Sequence, residues 1–311
     1  MEYFLSIIVP CYNEEDVIEK TYERISQVLN NNSINGEIIF INDGSRDRTL
    51  EILTSIAKND LKVKIINFSR NFGHQPAVTA GITNCCGQLA IIIDADLQDP
   101  PELIPKMIKT LEDAKCNVVY GVRIHRKGES IFKKVTAKLY YRLINKLSDI
   151  ELPSDTGDFR LIDKKVINEF QKLPEKNKYI RGLISWLGFK QVAFYYERDP
   201  RFDGITKYPL FKMLKFASTG LIYFTKKPLV IAITFGLISI LIGLFLAVYV
   251  ILAKLFEPLN VVPGWASTLI IIIFFGGVQL LSIGLLGNYI GCVFDEVKNR
   301  PEYVIDTKIN F

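Results

Sequence analysis

Short apolar runs rich in β-branched residues recur through the first part of the chain, at residues 5–9, 37–41, 63–68, 89–93 and 117–120. Between them, segments 14–29, 46–58, 76–85 and 101–114 carry apolar positions at helical spacing. Runs this short, bounded by turn-forming residues, read as buried strands, and their alternation with helices predicts a mostly parallel sheet with right-handed crossovers and helices on both faces. Beyond Tyr120 the rhythm breaks. A basic segment starts at Arg123, and over 131–147 the residues Ile131, Val135, Leu139, Leu143 and Leu147 form one four-residue row beside a row of Lys134, Lys138, Arg142 and Lys146. That pattern predicts an interfacial amphipathic helix over 130–148, with Lys134, Lys138 and Arg142 among anionic headgroups. A second interfacial helix is expected over 208–226.

The apolar pattern then changes in kind. No charged residue occurs from Pro228 to Ala253, nor again from Pro258 to Phe294. Each stretch exceeds the roughly 20 residues that a helix needs to cross a ~30 Å hydrocarbon core. Two transmembrane helices are expected, about 228–253 and 266–292, joined by a tight turn. The cations flanking the pair, Lys212, Lys215, Lys226 and Lys227 before it and Lys298 and Arg300 after it, place both ends on the cytoplasmic side. The resulting organisation is a cytoplasmic domain over 1–207, the interfacial segment 208–226, a two-helix membrane segment over 227–294 and a cytoplasmic tail over 295–311. No signal-peptide pattern precedes the first strand.

Composition adds little to this picture. The five cysteines lack Cys-x-x-Cys spacing, which argues against a disulfide framework or a zinc site and for reduced thiols. The formal charge of +5 is modest, and no nucleic acid is expected as a partner. His74 and His125 have no partner at metal spacing and read as structural.

Candidate chemistry concentrates where strands end. Asp94-Ala95-Asp96-Leu97-Gln98 follows the run 89–93 directly, so a strand end would deliver two carboxylates and an amide to the crevice where open α/β sheets bind ligands. Oxygen donors at alternate positions of an extended segment suit Mg²⁺ or Mn²⁺ shared with substrate phosphates, which implies a nucleotide diphosphate. Asp99, followed by Pro100-Pro101-Glu102, looks like a helix cap.

Six motifs appear in one order: Pro10-Cys11-Tyr12-Asn13-Glu14, Asn42-Asp43-Gly44-Ser45, Arg70-Asn71-Phe72-Gly73, the stretch from Asp94 to Glu102, Gly157-Asp158-Phe159-Arg160-Leu161 and Gly204-Ile205-Thr206-Lys207-Tyr208. With them the chain resembles the family-2 glycosyltransferases of GT-A fold, and among these the polyprenyl-phosphate enzymes similar to dolichol-phosphate mannose synthase. The resemblance implies a membrane-anchored, metal-dependent inverting enzyme. It would move one sugar, glucose from UDP-glucose foremost, to a polyprenyl phosphate such as undecaprenyl phosphate at the inner leaflet of a bacterial cytoplasmic membrane. Other sugars (N-acetylglucosamine, mannose, aminoarabinose) stay open, because fold does not carry specificity. A processive polysaccharide synthase is disfavoured by the lack of a Gln-x-x-Arg-Trp motif, and a non-catalytic scaffold by the intact acid cluster.

Within that resemblance, Pro10, Tyr12 and Glu14 would meet base and ribose, and Asp43 would accept from the base, although Asn42 stands where an acid is common. Ser45 reads as a helix cap. Asp96 and Gln98 would hold the metal, with Asp94 on metal or nucleotide. Arg123, Arg160, Arg201 and Lys207 would hold phosphate charge. Asp158 would be the catalytic base, yet a phosphate acceptor carries about −1.5 to −2 charges near pH 7 and needs no proton removed. Lipid bilayer and further copies of the chain are the other expected partners.

Overall fold

The computed structural model describes residues 3–124, 156–176, 178–197, 227–256 and 264–311. The elements follow the expected alternation: β1 (Leu5–Cys11), α1 (Ile18–Asn31), β2 (Gly36–Asn42), α2 (Thr49–Asn59), β3 (Val63–Phe68), α3 (His74–Asn84), β4 (Leu89–Ile92), a 3-10 turn at Pro101–Leu103, α4 (Ile104–Asp113) and β5 (Val118–Arg123). Then come β6 (Thr156–Asp163), α5 (Lys164–Gln171), α6 (Ile180–Trp186), β7 (Gln191–Tyr196), α7 (Lys227–Phe256), α8 (Trp265–Val297) and β8 (Ile305–Ile309).

One sheet runs in the order β7-β5-β6-β4-β1-β2-β3-β8. Strands β1 to β4 are mutually parallel, with β1 flanked by β2 and β4. Their residues are buried on both faces, as a doubly covered parallel sheet requires. Odd-numbered positions of β1, Leu5, Ile7 and Val9, pack with Ile18, Ile25, Leu53 and Met107 of α1, α2 and α4. The opposite face carries α3. Because β1 leads on to β2 at one side of it in the sheet and β4 leads on to β5 at the other, a crevice opens between their C-terminal ends, which is the topological switch point.

The second half is built differently. Strand β6 inserts antiparallel between β4 and β5, while β7 pairs parallel with β5 at the edge. Neither β6 nor β7 was expected as a strand. The last residues also depart from expectation: the segment after α8 is no free tail, because Ile305–Ile309 joins the sheet antiparallel to β3. It closes an edge that would otherwise expose unpaired backbone groups, with charged Asp306 and Lys308 directed outward. Tyr303 stacks on Phe68 at 4.9 Å between ring centroids.

The sheet, its helices and residues 299–311 form one compact unit, and α7 with α8 forms a second. Both long helices are apolar all round, and α8 contains the 24-residue stretch Phe274–Val297 that is long and apolar enough to span a membrane. No described residue of that stretch is buried, which separates it from the core helix of a globular domain. In α7 the stretch Ala232–Phe245 is apolar but shorter. The amphipathic segment 130–148 with Lys134, Lys138 and Arg142, the interfacial segment 208–226, Arg201, Lys207 and His125 all lie outside the described residues.

Candidate active site

The acid cluster sits at the switch point, though not in the way an extended segment would present it. Strand β4 ends at Ile92, and residues 94–98 turn rather than continue. Leu97 takes a left-handed backbone, φ 57°, at a cost of roughly 1–2 kcal/mol, and its buried side chain helps to hold it there. The Asp96 carboxylate accepts the Gln98 backbone N–H at 3.2 Å across this turn, and Gln98 is itself buried. Asp94 and Asp96 remain partly open. Burial raises the Asp94 carboxyl to about 6; His74 opposes that rise, and the neighbouring acids Asp99, Asp158 and Asp96 add to it. Negative charge gathered this way is what a divalent cation relieves. Among the described residues no three His, Cys, Asp or Glu side chains converge as a closed metal cage, so a cation here would complete its shell with diphosphate oxygens and water.

The nucleotide side of the crevice is tied together by short loops. Tyr12 presents an exposed ring and Glu14 a half-exposed carboxylate, while Pro10 is buried in β1. Ser45 caps no helix. Its hydroxyl donates to Asn42 Oδ1 at 2.5 Å and accepts from the Asn13 N–H at 3.0 Å, which binds the β1 loop to the β2 loop. Asn42 in turn donates to Asn67 Oδ1 at 2.7 Å, so its amide is used within the sheet. Asp43 is buried and accepts two backbone N–H groups, from Phe72 at 2.7 Å and Gly73 at 2.9 Å. Gly44 has to be glycine: its φ is +65°, and a Cβ there would lie 2.4 Å from the Arg70 carbonyl carbon. Asp43 and Gly44 thus pin the 70–73 loop, which leads straight into α3.

Across the crevice lies β6. Phe159 and Leu161 point into the core under α1 and α4. Asp158 and Arg160, one residue out of step, share the opposite face with α3, α5 and α6. The Asp158 carboxylate has both oxygens engaged: Oδ1 accepts from Arg181 Nε at 2.6 Å, and Oδ2 lies 2.9 Å from His74 Nε2. Burial would raise this acid, but the Arg181 charge and the hydrogen bonds from His74 and Arg181 hold it well below the usual carboxylate range. For His74, burial works downward and is outweighed by the Asp158 hydrogen bond and the charges of Asp94 and Asp158, which lift the imidazole to about 9. Arg160 is 2% exposed, and its Nε has no hydrogen-bond partner among the described residues. Burial lowers it to about 10, partly offset by Asp158. A buried guanidinium in that state is poised for an anion.

Arg123 ends β5, with Nη2 3.9 Å from Asp99 Oδ2. Gly157 makes room for it, since a Cβ there would come within 2.5 Å of the same Nη2. Asp99 does not cap α4 or the preceding turn: its Oδ1 accepts from the Tyr196 hydroxyl at 2.5 Å. The fold therefore brings Asp94, Asp96, Arg123, Asp158 and Arg160 to one crevice. Sequence reasoning missed Arg181, which no motif marks, and set His74 aside as structural, although it stands against Asp158.

Residues 6–170 match the model of glycosyl transferase family 2. Over 301 residues the chain is 38% identical to the SfII prophage-derived bactoprenol glucosyl transferase of Shigella flexneri, covering 97% of each chain. It is 49% identical over 300 residues to the uncharacterised glycosyltransferase YkcC of Bacillus subtilis, covering 96% of this chain and 92% of that one. Among solved structures, glucosyl-3-phosphoglycerate synthase of Mycobacterium tuberculosis in complex with Mn²⁺, UDP and phosphoglyceric acid superposes with a TM-score of 0.50 at 20% identity, over 71% of this chain and 76% of that one. At that identity the likeness concerns the fold, which is GT-A.

Proposed function

This chain belongs to glycosyltransferase family 2, and from that membership we propose that it transfers glucose from UDP-glucose to a polyprenyl phosphate. The observation that carries the reading is the pairing of two chemistries in one crevice. The acids Asp94 and Asp96 mark a donor side suited to a metal-bound diphosphate, and the buried Arg160 with the partly exposed Arg181 marks an acceptor side suited to a phosphate. Bactoprenol glucosylation by the full-length relatives supports the choice of sugar and acceptor.

In this reading Asp94, Asp96 and Gln98 hold Mg²⁺ or Mn²⁺, which neutralises charge on the departing diphosphate. Tyr12 stacks on the base and Glu14 takes ribose hydroxyls, while Pro10 shapes the pocket floor. Asp43 acts through the 70–73 loop, because both its oxygens serve backbone donors. Arg160 and Arg123 draw the acceptor phosphate towards the anomeric carbon, where a phosphate oxygen displaces UDP and inverts the configuration. The acceptor is already anionic, so Asp158 orients rather than deprotonates.

The same proposal places the enzyme in the cytoplasmic membrane. If α8 crosses the bilayer, the chain must cross again, since residues 299–311 return to the sheet that residues 5–11 begin. The 30-residue helix α7, about 45 Å long, supplies that second crossing. The 1–207 domain and the last residues then share the cytoplasmic side. On sequence alone, the proposal also assigns the basic segment 130–148 and the segment 208–226 to the lipid surface, and Arg201 and Lys207 to the acceptor phosphate. Self-association rests on the family resemblance alone.

The test is a screen of radiolabelled nucleotide sugars with detergent-solubilised protein and undecaprenyl phosphate. Glucose incorporated from UDP-glucose into an acid-labile lipid is the expected result. Transfer from another donor alone would reassign the sugar, and transfer from none would overturn the proposal.

A further inference from the structure

His74 does not sit beside Asp158 by accident of packing. Its backbone is fixed from one side, where Asp43 holds the N–H groups of Phe72 and Gly73 at 2.7 and 2.9 Å. From the other side the next residue, Gln75, accepts the Ile180 N–H at 3.0 Å at the start of α6. That helix carries Arg181, which returns to Asp158 at 2.6 Å and to the Thr156 carbonyl at 2.7 Å. The contacts close a ring, from α3 through His74 to Asp158, on through Arg181 to α6, and back through Ile180 and Gln75 to α3. His74 Nε2 also lies 3.9 Å from Asp94 Oδ1, so the same atom reaches towards the donor-side acids.

We infer that His74 is a positioning residue for transfer: it fixes the Asp158 carboxylate against Arg181 and sets the separation between the acceptor-side carboxylate and the Asp94 end of the acid cluster. A carboxylate gripped at both oxygens cannot rotate, and the only other way to hold it would be solvent, which a crevice reacting a sugar with phosphate rather than water must exclude. The contact is long-range in sequence, between residues 84 positions apart, so it is made only when β6 and α3 are both in place. The role rests on the transfer reaction proposed above.

Two measurements on the full-length protein in lipid nanodiscs separate the clamp from that reaction. The chain has two histidines, so a His125→Gln background leaves His74 as the one ¹⁵N-labelled imidazole. Asp158→Asn should then shift the His74 ring-nitrogen resonances. Unchanged resonances overturn the inference, whatever the substrate proves to be. In the transfer assay, His74→Phe keeps ring volume without the hydrogen bond. It should lower kcat about 10- to 100-fold with KM for UDP-glucose within about twofold, while His74→Gln, whose amide reaches the same carboxylate, recovers most of the loss. A normal kcat in His74→Phe, a rise confined to KM, or a folded His74→Gln as inactive as His74→Phe would each overturn it. Should His74→Phe fail to fold, the resonance test and His74→Gln still decide. If wild type transfers nothing from UDP-glucose, the proposed reaction fails while the resonance test stands.

Discussion

On one side of the switch point, strands β1 to β4 each hand the chain to a helix within a few residues, and the side chains facing the crevice come from those strand ends. On the other side, β6 pairs antiparallel with both of its neighbours. The carboxylate of its Asp158 is held by groups from α3 and α6 rather than by its own neighbours in sequence. The donor half is thus assembled from local units, and the acceptor half from long-range ties between charged side chains. Local assembly puts chemistry on loops that substitutions can alter without unfolding the sheet. Assembly by long-range ties makes geometry itself the vulnerable quantity.

The largest effect should come from the donor half, where one residue carries the chemistry. Asp96→Ala should lower transfer by about 10³-fold or more while far-UV circular dichroism stays that of wild type, and EDTA should silence the wild type until Mg²⁺ or Mn²⁺ is restored. Full transfer in chelator would remove the metal from the donor half and with it the contrast between the two halves.

The acceptor half should answer through turnover. Asp158→Asn should cost about 10²-fold in kcat, as loss of positioning does. Its pH profile is the sharper reading. The Asp158 carboxyl lies below its ordinary value in the folded protein, so it stays ionised through the working range and protonates only in strong acid. The stability it lends is present above pH ~4 and fades as pH falls through its lowered folded value. The acid limb of kcat should therefore follow the acceptor phosphate near pH ~6 and persist in Asp158→Asn. A limb that vanishes in the mutant would make Asp158 a proton acceptor in the reaction.

This division also accounts for what was legible from residue order. Parallel strands buried on both faces are continuous apolar runs, so β1 to β4 and the acids after Ile92 could be read directly. Strand β6 hid because Asp158 and Arg160 interrupt its apolar pattern with charges whose partners lie elsewhere in the chain. His74 and Arg181 hid for the same reason, having meaning only once α3, β6 and α6 are packed. Strand β8 hid because Asp306, Thr307 and Lys308 make its middle polar, as suits an edge. Its pairing with β3 is tertiary information.

That strand offers a test of intermediate size. Tyr303→Ala removes the ring stacked on Phe68 and should destabilise the β3–β8 edge by about 2 kcal/mol. Hydrogen exchange at the amides of β3 and β8 should quicken roughly 30-fold at that cost, with exchange in β1 unchanged. Since Glu302 also accepts from Thr79 of α3 at 3.2 Å, kcat should drop only a few-fold, about 2- to 5-fold, as α3 loosens. Equal loss of protection across β1 to β4 would show that the donor half leans on the last residues of the chain and is not assembled locally.

The smallest effect should come from the most conspicuous ion pair of the donor half. Arg24 of α1 grips Glu102 with two hydrogen bonds, 2.9 and 2.7 Å, beside the turn that follows the acid cluster. The geometry is bidentate, but the side chains are 32% and 52% exposed, so water screens the pair and its worth is about 0.5–1 kcal/mol. If the acid turn is set by its own backbone, by the left-handed Leu97 and the Asp96 to Gln98 hydrogen bond, then Arg24→Ala should leave kcat and the metal dependence within about twofold of wild type. It should lower the melting temperature by no more than a few degrees, less in high salt where the wild-type pair is already weakened. A tenfold loss of kcat from so exposed a pair would mean that α1 holds the acid turn from a distance, by the kind of tie that holds Asp158.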